Sequence, residues 1–418
     1  MTTSELLDQY VLPTYARFPL VPVRGQGAWL WDAAGRKYLD FCSGIATCSL
    51  GHAHPAVQAA IATQAGTLLH CSNLYQIPQQ AELARFIVDD CVGIPGKVFF
   101  GNSGAEANDG LIKLARRFGH NHPQENGKAR FEVITFNRSF HGRTLGSMSA
   151  TAQPKMHEGY DPLLPGFRHV EFNDARALRG AIGPETAAIL LEPIQGEGGI
   201  HLADREFLLA AKRLCDEHDL LLLLDEVQCG FGRAGDLMGW RTIAPGLEPD
   251  GISWAKGMGG GFPIGAFWVS DRAVDDGSAP LSSLMGPGSH GSTYGGNPLA
   301  CAAALTVLQE IAGGKLAGHA SAMGTKLTAA IAAWEHPAVA AVRGKGLMIG
   351  IQLDAAALQV PGDNSPAIHL CHLLAEAGLL VPPAGPGVIR FLPPLNVTAV
   401  ECDRALGILR ATLDGLAG

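Results

Sequence analysis

The chain has 418 residues, of which 47% are hydrophobic and 17% are charged, and its formal net charge at pH 7 is −8. This length predicts two domains of unequal size. The acidic balance argues against nucleic acid as a main partner. No apolar segment reaches the roughly 20 residues needed to span a bilayer, so we expect a soluble protein that does not act in a membrane.

The cysteine pattern and the first residues predict a cellular compartment. Nine cysteines occur singly, and no two of them form a Cys-x-x-Cys pair. Such spacing is typical of reduced thiols in a reducing compartment. The stretch Met1–Asp8 contains acids and lacks an apolar or arginine-rich run, so we expect no secretion or transit signal. A cytoplasmic location follows as an expectation.

The order of apolar and polar residues predicts the elements. Alternation from Trp29 to Asp40 predicts a β-hairpin that turns at Ala34-Gly35, and helical patterning follows Pro55. Between Lys97 and Val227, predicted strands alternate with helices: strands at residues 98–100, 131–136, 187–191 and 220–224, and helices ending at residue 117 and spanning 204–218. This alternation predicts an α/β fold with a mostly parallel, doubly wound sheet.

After about residue 315 the pattern changes. It predicts strands at 347–353 and 388–392, a helix at 368–376 and a final helix from Val400. We therefore expect an N-terminal segment of residues 1–60 that joins the small domain, a large domain of residues 61–314, and a small α+β domain of residues 315–418.

The most informative feature is a run of five leucines that ends at Asp225 and is followed by Lys256 among glycines. Such a run predicts a strand buried on both faces, which places Asp225 at the sheet edge where α/β proteins bind ligands. A buried carboxylate needs a cationic partner. An acid for a pyridinium nitrogen and an amine for an aldehyde together suit pyridoxal phosphate. Taken alone, Asp225 also suits a helix cap or a metal ligand, and Lys256 a solvated side chain.

Three further motifs lie at predicted strand ends. Small residues from Gly101 to Asn108 precede a helix, which favours a phosphate site, although an ordinary strand-to-helix turn has the same composition. In the segment from Phe140 to Thr144, the phenyl ring suits stacking on a planar ring and Arg143 suits a carboxylate, but both also occur as packing and surface residues. The third motif, residues 192–199, places two glutamates among glycines.

Three other residues, taken alone, indicate structure more than chemistry. Arg390 stands inside an apolar predicted strand, where a guanidinium needs a partner acid. His52 and His54 suggest a metal, but no carboxylate or cysteine completes a set with ligand spacing, so we predict a loop role and no metal site.

Together these motifs, with the segment His290–Pro298, resemble the class III aminotransferases of PLP fold type I, and within them the acetylornithine aminotransferase group. The resemblance runs from about Pro13 to the last helix. It implies the fold of that class, a homodimer with shared active sites, and pyridoxal phosphate as the cofactor.

By the same resemblance, Lys256 would be the Schiff-base lysine and the proton-transfer base, and Asp225 would pair with the ring nitrogen. The other implied cofactor contacts are Ser103, Gly104 and Ala105 at the phosphate, Phe140 on the ring, Gln228 at the phenolic oxygen, Thr293 at the phosphate of the neighbouring subunit, and His141, Glu192 and Val227 nearby. The implied substrate residues are Arg143 and Arg390 for carboxylates, Glu197 as the resting partner of Arg390, and Ser292.

The implied reaction moves the δ-amino group of N2-acetylornithine to 2-oxoglutarate, giving N-acetylglutamate 5-semialdehyde and glutamate, as in arginine biosynthesis. Succinylornithine, ornithine or 4-aminobutyrate remain alternative donors, because the motifs mostly concern the cofactor. An aminomutase is an alternative of another kind, and so is a catalytically silent binding protein of the same fold. Two positions depart from the family pattern: Asp109 replaces a frequent glutamate, and the stretch Asp271–Pro287 is longer than usual.

Overall fold

The structure is a computed structural model that describes residues 1–274, 279–362 and 365–416. Within these ranges the strands are β1 Pro22–Gln26, β2 Trp29–Asp32, β3 Lys37–Asp40, β4 Gly96–Gly101, β5 Glu132–Phe136, β6 Phe167–Val170, β7 Thr186–Leu191, β8 Ile194–Gln195, β9 His201–Leu202, β10 Leu221–Asp225, β11 Gly251–Trp254, β12 Gly265–Ser270, β13 Ala273–Val274, β14 Ala279–Pro280, β15 Val339–Lys345, β16 Met348–Leu353, β17 Leu379–Leu380 and β18 Val388–Phe391. The α-helices are Thr3–Tyr10, Ser43–Ala46, Pro55–Ala65, Pro78–Arg85, Gly104–Asn121, Leu145–Ala150, Ala175–Ala181, Arg205–His218, Pro298–Gly313, Leu316–Ala332, Pro366–Glu376 and Ala399–Asp414.

A seven-stranded sheet forms the centre of the molecule, in the order β4-β12-β11-β10-β7-β5-β6. Its neighbouring strands run parallel except at β12, which is antiparallel to both β11 and β4. The predicted mostly parallel α/β sheet is therefore confirmed, and one strand departs from it.

The leucine run forms the middle of this sheet. Leu222 and Leu224 belong to the larger core, whereas Leu221 and Leu223 belong to a second core. Successive side chains of a strand point to opposite faces, so both faces of β10 are covered. All four leucines are fully buried. This explains why the run is apolar without alternation, and it places Asp225 at the carboxyl end of β10.

The predicted hairpin joins distant parts of the chain. Strands β2 and β3 pair antiparallel, with Trp29 opposite Leu39. Strand β3 then pairs in parallel with β17, so that Leu39 also lies opposite Leu379. The N-terminal strands thus share a sheet with the C-terminal region, while β15, β16 and β18 form a separate sheet. The division of the chain at residues 60 and 314 stays a prediction.

The segment Ser43–Ala46 forms a left-handed turn that no local pattern predicts. The φ angles of Ser43, Gly44, Ile45 and Ala46 are 47°, 65°, 61° and 62°. A left-handed conformation costs roughly 1–2 kcal/mol for each residue that has a side chain. Asp40 Oδ1 stabilises the start of the turn by accepting hydrogen bonds from the backbone of Cys42 and Ser43, both 2.9 Å long.

The long stretch Asp271–Pro287 is only partly described. Strands β13 and β14 pair antiparallel, with Ala273 opposite Pro280. The expectation of an unusual length at residues 275–278 lies outside the described residues. In the described part of the chain, no single helix is long and apolar enough to cross a membrane. The bent pair Pro298–Gly313 and Leu316–Ala332 reaches that length and composition only when both helices are counted together.

Candidate active site

A cavity of about 230 Å³ lies at the carboxyl ends of the central strands. Most of the predicted site residues line it, namely Gly104, Ala105, Phe140, His141, Arg143, Glu192, Glu197, Asp225, Val227, Gln228 and Lys256. They come from five separate segments of the chain. The parallel sheet brings them together because its strands end at the same edge.

The carboxylate of Asp225 is fixed by three hydrogen bonds and is 3% exposed. Its Oδ2 lies 2.8 Å from His141 Nδ1 and accepts from Asn108 Nδ2 at 2.7 Å. Its Oδ1 accepts from the backbone N–H of Val227 at 3.0 Å. Burial lowers the pKa of His141, but the hydrogen bond to Asp225 and the negative charges of Asp225 and Glu192 together outweigh it, and the pKa is raised overall. The pair therefore concentrates charge at the floor of the cavity.

Sequence reasoning missed the residue that orients this carboxylate. Asn108 lies inside the helix Gly104–Asn121 and is buried. Its amide also donates to the carbonyl of His141 at 2.7 Å and accepts from Ser253 Oγ at 2.6 Å. Asparagine is a poor residue for a helix interior. The available sequence signal was an asparagine inside a predicted helix, four residues after Gly104.

Lys256 follows β11 and has a φ of 40°, which is left-handed and unusual for a residue with a side chain. Such strain persists where the surrounding structure requires a particular side-chain direction. Burial lowers the pKa of Lys256, and the nearby Glu197 carboxylate offsets only part of that effect. No ion pair to Lys256 occurs within the described ranges. The amine is thus available as a nucleophile or base.

The turn before the helix Gly104–Asn121 forms a tight cradle. Ser103 caps the helix by accepting from the backbone of Glu106 at 3.2 Å. A side chain at Gly104 would place its Cβ 2.8 Å from Val227 Cγ1, so no larger residue fits there. The first N–H groups of a helix have no carbonyl partner within it and favour an anion. Gly104 and Ala105, which carry such groups, line the cavity.

Asp109, which stands where a glutamate is frequent in the family, links this helix to the segment from Phe140 to Thr144. Its carboxylate accepts from Thr144 Oγ1 at 2.7 Å and from Ser147 Oγ at 2.9 Å. The shorter acid therefore has two hydroxyl partners that come from the start of the next helix, Leu145–Ala150. These two hydrogen bonds satisfy the carboxylate of Asp109 in place of the longer glutamate.

Glu192 connects two loops of the cavity wall. One carboxylate oxygen accepts from the backbone N–H of Phe140 at 2.9 Å, and the other from that of Gly196 at 3.1 Å. Burial raises the pKa of Glu192 to about 7. Glu192 therefore positions the Phe140 loop relative to the glycine turn, a structural link that the sequence did not reveal.

Arg390, in β18, forms an ion pair with Glu197. The guanidinium donates to Glu197 Oε1 at 2.7 Å and to Oε2 at 3.1 Å, a two-point contact. Gln228 joins the pair, accepting from Arg390 at 3.2 Å and donating to Glu197 at 3.3 Å. Burial alone would raise the pKa of Glu197, but Arg390 and Lys256 outweigh it and hold the pKa at about 2. Glu197 is therefore ionised at neutral pH.

The glycines around Glu197 have a definite steric reason. A Cβ at Gly196 would lie 2.3 Å from Gln228 Oε1, and a Cβ at Gly198 would lie 2.3 Å from the carbonyl oxygen of Arg138. The glycines therefore allow close packing of the turn, in addition to the conformational freedom expected from the sequence.

Arg143 lies at the exposed mouth of the cavity. Its guanidinium carbon is 5.7 Å from the centre of the Phe140 ring. This distance suits a cation–π contact. The side chain has no ion pair within the described residues, so its positive charge faces solvent and any ligand that enters.

Ser292 and Thr293 lie elsewhere in this chain. They line a separate cavity of about 430 Å³ with Asn102, Glu106 and Tyr294. Asn102 donates to Ser292 Oγ at 3.2 Å, and Asn73 donates to the carbonyl of Ser292 at 3.1 Å. The fold of one chain therefore does not bring these two predicted residues to the cavity of Lys256.

The residues of the cavity fit pyridoxal phosphate. The cavity is lined by the amine of Lys256, which has no ion pair among the described residues, by the fixed carboxylate of Asp225 and by the N-terminus of the helix Gly104–Asn121. His141 Nε2 is buried and has no hydrogen-bond partner among the described residues. The glycine at position 104 lets the start of the helix pack closely against Val227, which also lines the cavity. A group with an aldehyde, a ring nitrogen and a phosphate would use each of these features.

Comparisons with known proteins identify the family. The family model described as aminotransferase class-III matches residues 10–413. An acetylornithine aminotransferase of Gloeobacter violaceus is 47% identical over 412 residues, covering 98% of this chain and 97% of that protein. One from Aquifex aeolicus is 42% identical over 404 residues, covering 97% of this chain and 100% of that protein.

Solved structures give the same picture. The N-acetylornithine aminotransferase of Stenotrophomonas maltophilia has a TM-score of 0.81 and 36% identity, covering 98% of both chains. An ornithine aminotransferase of Toxoplasma gondii, with partial occupancy of pyridoxal phosphate at its active site, has a TM-score of 0.89 and 31% identity, covering 99% of this chain and 94% of that one.

Proposed function

The chain belongs to the class III aminotransferase family, whose members depend on pyridoxal phosphate, and from that premise we propose that it transfers the δ-amino group of N2-acetyl-L-ornithine to 2-oxoglutarate. The products are N-acetyl-L-glutamate 5-semialdehyde and L-glutamate. The observation that carries the choice of donor is the identity with acetylornithine aminotransferases over nearly the whole chain.

We assign the cofactor contacts as follows. Ser103, Gly104 and Ala105 hold the phosphate, because they form a capped helix N-terminus on the cavity wall. Phe140 and Val227 enclose the ring, Asp225 and His141 hold its nitrogen, and Gln228 contacts its phenolic oxygen. When bound, pyridoxal phosphate supplies an aldehyde for the amino group and a ring that withdraws electrons from the substrate carbon.

Lys256 does the proton chemistry in this proposal. Burial lowers its pKa and so favours the neutral amine, and Nζ would accept the proton from the δ-carbon of the donor and return it to the aldehyde carbon of the cofactor. Asp225 keeps a negative charge at the cavity floor, held there by Asn108, His141 and the backbone of Val227. That fixed charge favours a protonated ring nitrogen.

The two substrates differ in charge near the reacting carbon, and the Glu197–Arg390 pair suits that difference. The α-carboxylate of glutamate or 2-oxoglutarate would take the place of Glu197 on Arg390 by two-point hydrogen bonding. Acetylornithine presents an amine at its reacting end, and Glu197 then neutralises Arg390 as observed. Arg143, at the cavity mouth, would bind the remote carboxylate of either substrate, and in a dimer Ser292 of the partner subunit would lie near it.

A panel of amino donors tests the choice of substrate. The purified enzyme is assayed with acetylornithine, succinylornithine, ornithine and 4-aminobutyrate against 2-oxoglutarate, with Lys256→Ala as the blank. We expect kcat/KM for acetylornithine to exceed the values for ornithine and 4-aminobutyrate by at least about tenfold, because a pocket with paired polar groups discriminates strongly. A higher value for ornithine or 4-aminobutyrate would contradict the proposal.

We also propose a homodimer with shared active sites. The segment around Asn73 carries exposed apolar side chains, and Leu74 is 90% exposed. Tyr294, which follows Thr293, is 62% exposed and its ring lies near His70. Exposed apolar side chains concentrated in one region are typical of an interface. In a twofold dimer, Thr293 would reach the phosphate of the partner's cofactor.

Hybrid dimers test the shared site. When a Lys256→Ala subunit is combined with a Thr293→Ala subunit, one site carries both changes and the other carries neither. We expect the mixture to recover activity above that of either parent. Hybrids that stay at the parental level would show that Thr293 serves its own subunit.

The place of this reaction in the cell follows from its chemistry. The proposed semialdehyde product suits arginine biosynthesis in the cytoplasm. All nine cysteines are free in the structure, which suits a reducing compartment. Arginine auxotrophy after deletion of the encoding gene, relieved by the intact enzyme, would support this role, and unchanged growth without arginine would speak against it.

A further inference from the structure

The turn that carries Glu197 lies against a sheet from the C-terminal part of the chain. In the antiparallel sheet of β15, β16 and β18, Gly350 is opposite Arg343 on one side and opposite Arg390 on the other. Directly opposite residues of antiparallel strands place their side chains on the same face of the sheet. The two arginines therefore flank a glycine on one face, and no side chain fills the space between them.

The end of the Glu197 turn occupies this space. A Cβ at Gly350 would lie 2.8 Å from Ile200 Cβ and 3.3 Å from the carbonyl oxygen of Gly199. Ile200 is fully buried, and its φ of 57° is left-handed, which is an outlier for a β-branched residue. Such a backbone persists only where the surrounding structure holds it. The close contact with the sheet at Gly350 is one such constraint.

Arg343 provides a second constraint on the same two residues. Its Nε donates to the carbonyl oxygens of Gly199 at 3.0 Å and of Ile200 at 2.8 Å, and its Nη2 also donates to that of Gly199. Nη2 donates in addition to Gln352 Oε1 at 3.2 Å, and the Gln352 amide donates to the carbonyl of Gly387 at 3.1 Å, directly before β18. All these acceptors are neutral oxygens, so the guanidinium fixes positions and does not balance a charge.

The turn is thus attached to one sheet by two arginines of different kinds. Arg390 binds the Glu197 carboxylate, a contact that the carboxylate of a substrate can replace. Arg343 binds the backbone, and it is absent from the described residues that line the cavity of Lys256. A ligand in that cavity therefore competes for Arg390 and leaves the attachment at Arg343 in place.

We propose that Arg343 is a positioning residue for amino transfer: it keeps the turn docked on the sheet while Glu197 leaves Arg390, and so returns Glu197 to Arg390 when the substrate carboxylate departs. This inference rests on the proposed exchange of carboxylates at Arg390. A turn held at its end has fewer conformations open to it, which favours the contact between Glu197 and Arg390 over the open state. Without Arg343, the Arg390 guanidinium would be free of its acid more often.

Loss of Arg343 would have opposite effects on the two kinds of substrate. A ligand whose carboxylate displaces Glu197 gains affinity, because the competing acid is in place for less of the time. The acetylornithine half-reaction slows, because it needs Glu197 to neutralise Arg390. General damage to the fold would weaken both, so tighter binding of a dicarboxylate is the result that identifies a positioning role.

Glutarate, a five-carbon dicarboxylate that has no keto group and cannot react, is the probe. Its Kd for the holoenzyme is measured by titration calorimetry. We expect Arg343→Ala to bind glutarate about three- to tenfold more tightly than the wild type does. Arg343→Lys should fall between them, because an ammonium keeps the charge but cannot serve both carbonyls as a rigid fork does. Single-turnover absorbance should show the acetylornithine half-reaction of Arg343→Ala slowed by about the same factor, and the glutamate half-reaction changed by less than about twofold.

Arg241→Ala is the matched control. The Arg241 guanidinium also donates to the carbonyls of two successive residues, Cys91 and Val92, and Arg241 is likewise absent from the described lining of the cavity. We expect this variant to lose stability without a change in glutarate affinity or in the ratio of the two half-reactions. The same changes in Arg241→Ala as in Arg343→Ala would overturn the proposal.

Unchanged or weaker glutarate binding by a folded Arg343→Ala protein, or equal slowing of the two half-reactions, would also overturn it. If Arg343→Ala does not fold, Arg343→Lys decides by the same two measurements. Arg390→Ala separates this inference from the proposed function, since it should weaken glutarate binding at least about tenfold. An unchanged affinity in Arg390→Ala would overturn the exchange at Arg390 and this inference with it. The expected loss in Arg390→Ala, together with no response of Arg343→Ala, would overturn the role of Arg343 alone.

Discussion

Two sides of one cavity hold their charges in different ways. On the Asp225 side, a carboxylate at the end of a buried strand is fixed by a helix side chain, an imidazole and a backbone N–H. On the other side, Glu197 stands in a glycine turn, and Arg390 provides its main partner. The carboxylate of Asp225 is therefore held by several fixed neighbours, whereas that of Glu197 is held mainly by one ion pair, with Gln228 as a further donor.

This difference indicates different roles. A group that must stay charged throughout a reaction benefits from several fixed partners, since moving it would break all of them. An ion pair on a turn can open when a better ligand arrives, because a carboxylate substrate replaces the same two-point contact. The Asp225 side is therefore expected to be constant in both half-reactions, and the Glu197 side to change between them.

The largest effect is expected at Lys256, which lies between the two sides. Replacement Lys256→Ala removes the nucleophile and the base together, and kcat should fall on the order of 10⁴-fold. Borohydride treatment of the wild-type protein should attach the cofactor to the peptide that contains Lys256. The exposed Lys128, replaced in the same way, is the control. A Lys256→Ala enzyme near the wild-type rate would refute the assignment.

The Asp225 side should respond equally in both half-reactions. Asp225→Ala removes a fixed charge, and both single-turnover rates should fall by about 10²- to 10³-fold. Asn108→Ala removes one of its three hydrogen bonds and should cost about tenfold. Cofactor content, followed by absorbance, separates lost binding from lost chemistry. A larger loss for Asn108→Ala than for Asp225→Ala would mean that the asparagine has a role of its own.

The Glu197 side should respond unequally. Arg390→Ala should raise the KM for 2-oxoglutarate about 10- to 100-fold, because a charge-assisted two-point contact is lost. Glu197→Ala leaves Arg390 buried without its acid, so the acetylornithine half-reaction should slow more than the glutamate half-reaction. Single-turnover absorbance with each substrate measures both. Equal losses in the two halves for both variants would exclude the switch.

The smallest effect concerns stability and pH. The folded-state pKa of Glu197, about 2, lies below its ordinary value of 4.5. Its ion pair therefore stabilises the protein above pH 4.5, and this contribution is lost as the pH falls toward 2. The difference in free energy of unfolding between wild type and Glu197→Gln should shrink over that range in urea titrations. The exposed Glu206, changed to Gln, should show no such convergence.

Local sequence patterns were enough to predict much of the fold and to select the residues expected to carry the chemistry. The leucine run predicted a strand buried on both faces, and the two separate cores confirm it. The alternation from Trp29 to Asp40 predicted the hairpin, which pairs as expected. Asp225 and Lys256 could be selected because strand ends and glycine settings are visible within a few residues of the sequence. Their assigned roles stay predictions until the experiments above are done.

Other features depend on segments far apart in the chain. Asn108 meets Asp225 across 117 residues, and Arg390 meets Glu197 across 193. The antiparallel strand β12 inside a parallel sheet also follows from long-range pairing.

The sequence by itself determined the periodicity of the strands and helices, and with it the edge of the sheet where the acid and the amine would lie. Only the tertiary structure decided which side chains surround them. It placed Glu192 between two loops, and it paired Arg390 with Glu197. The physical reason is that periodicity is a property of neighbouring residues, whereas burial and charge pairing depend on which distant segments the packed core brings together.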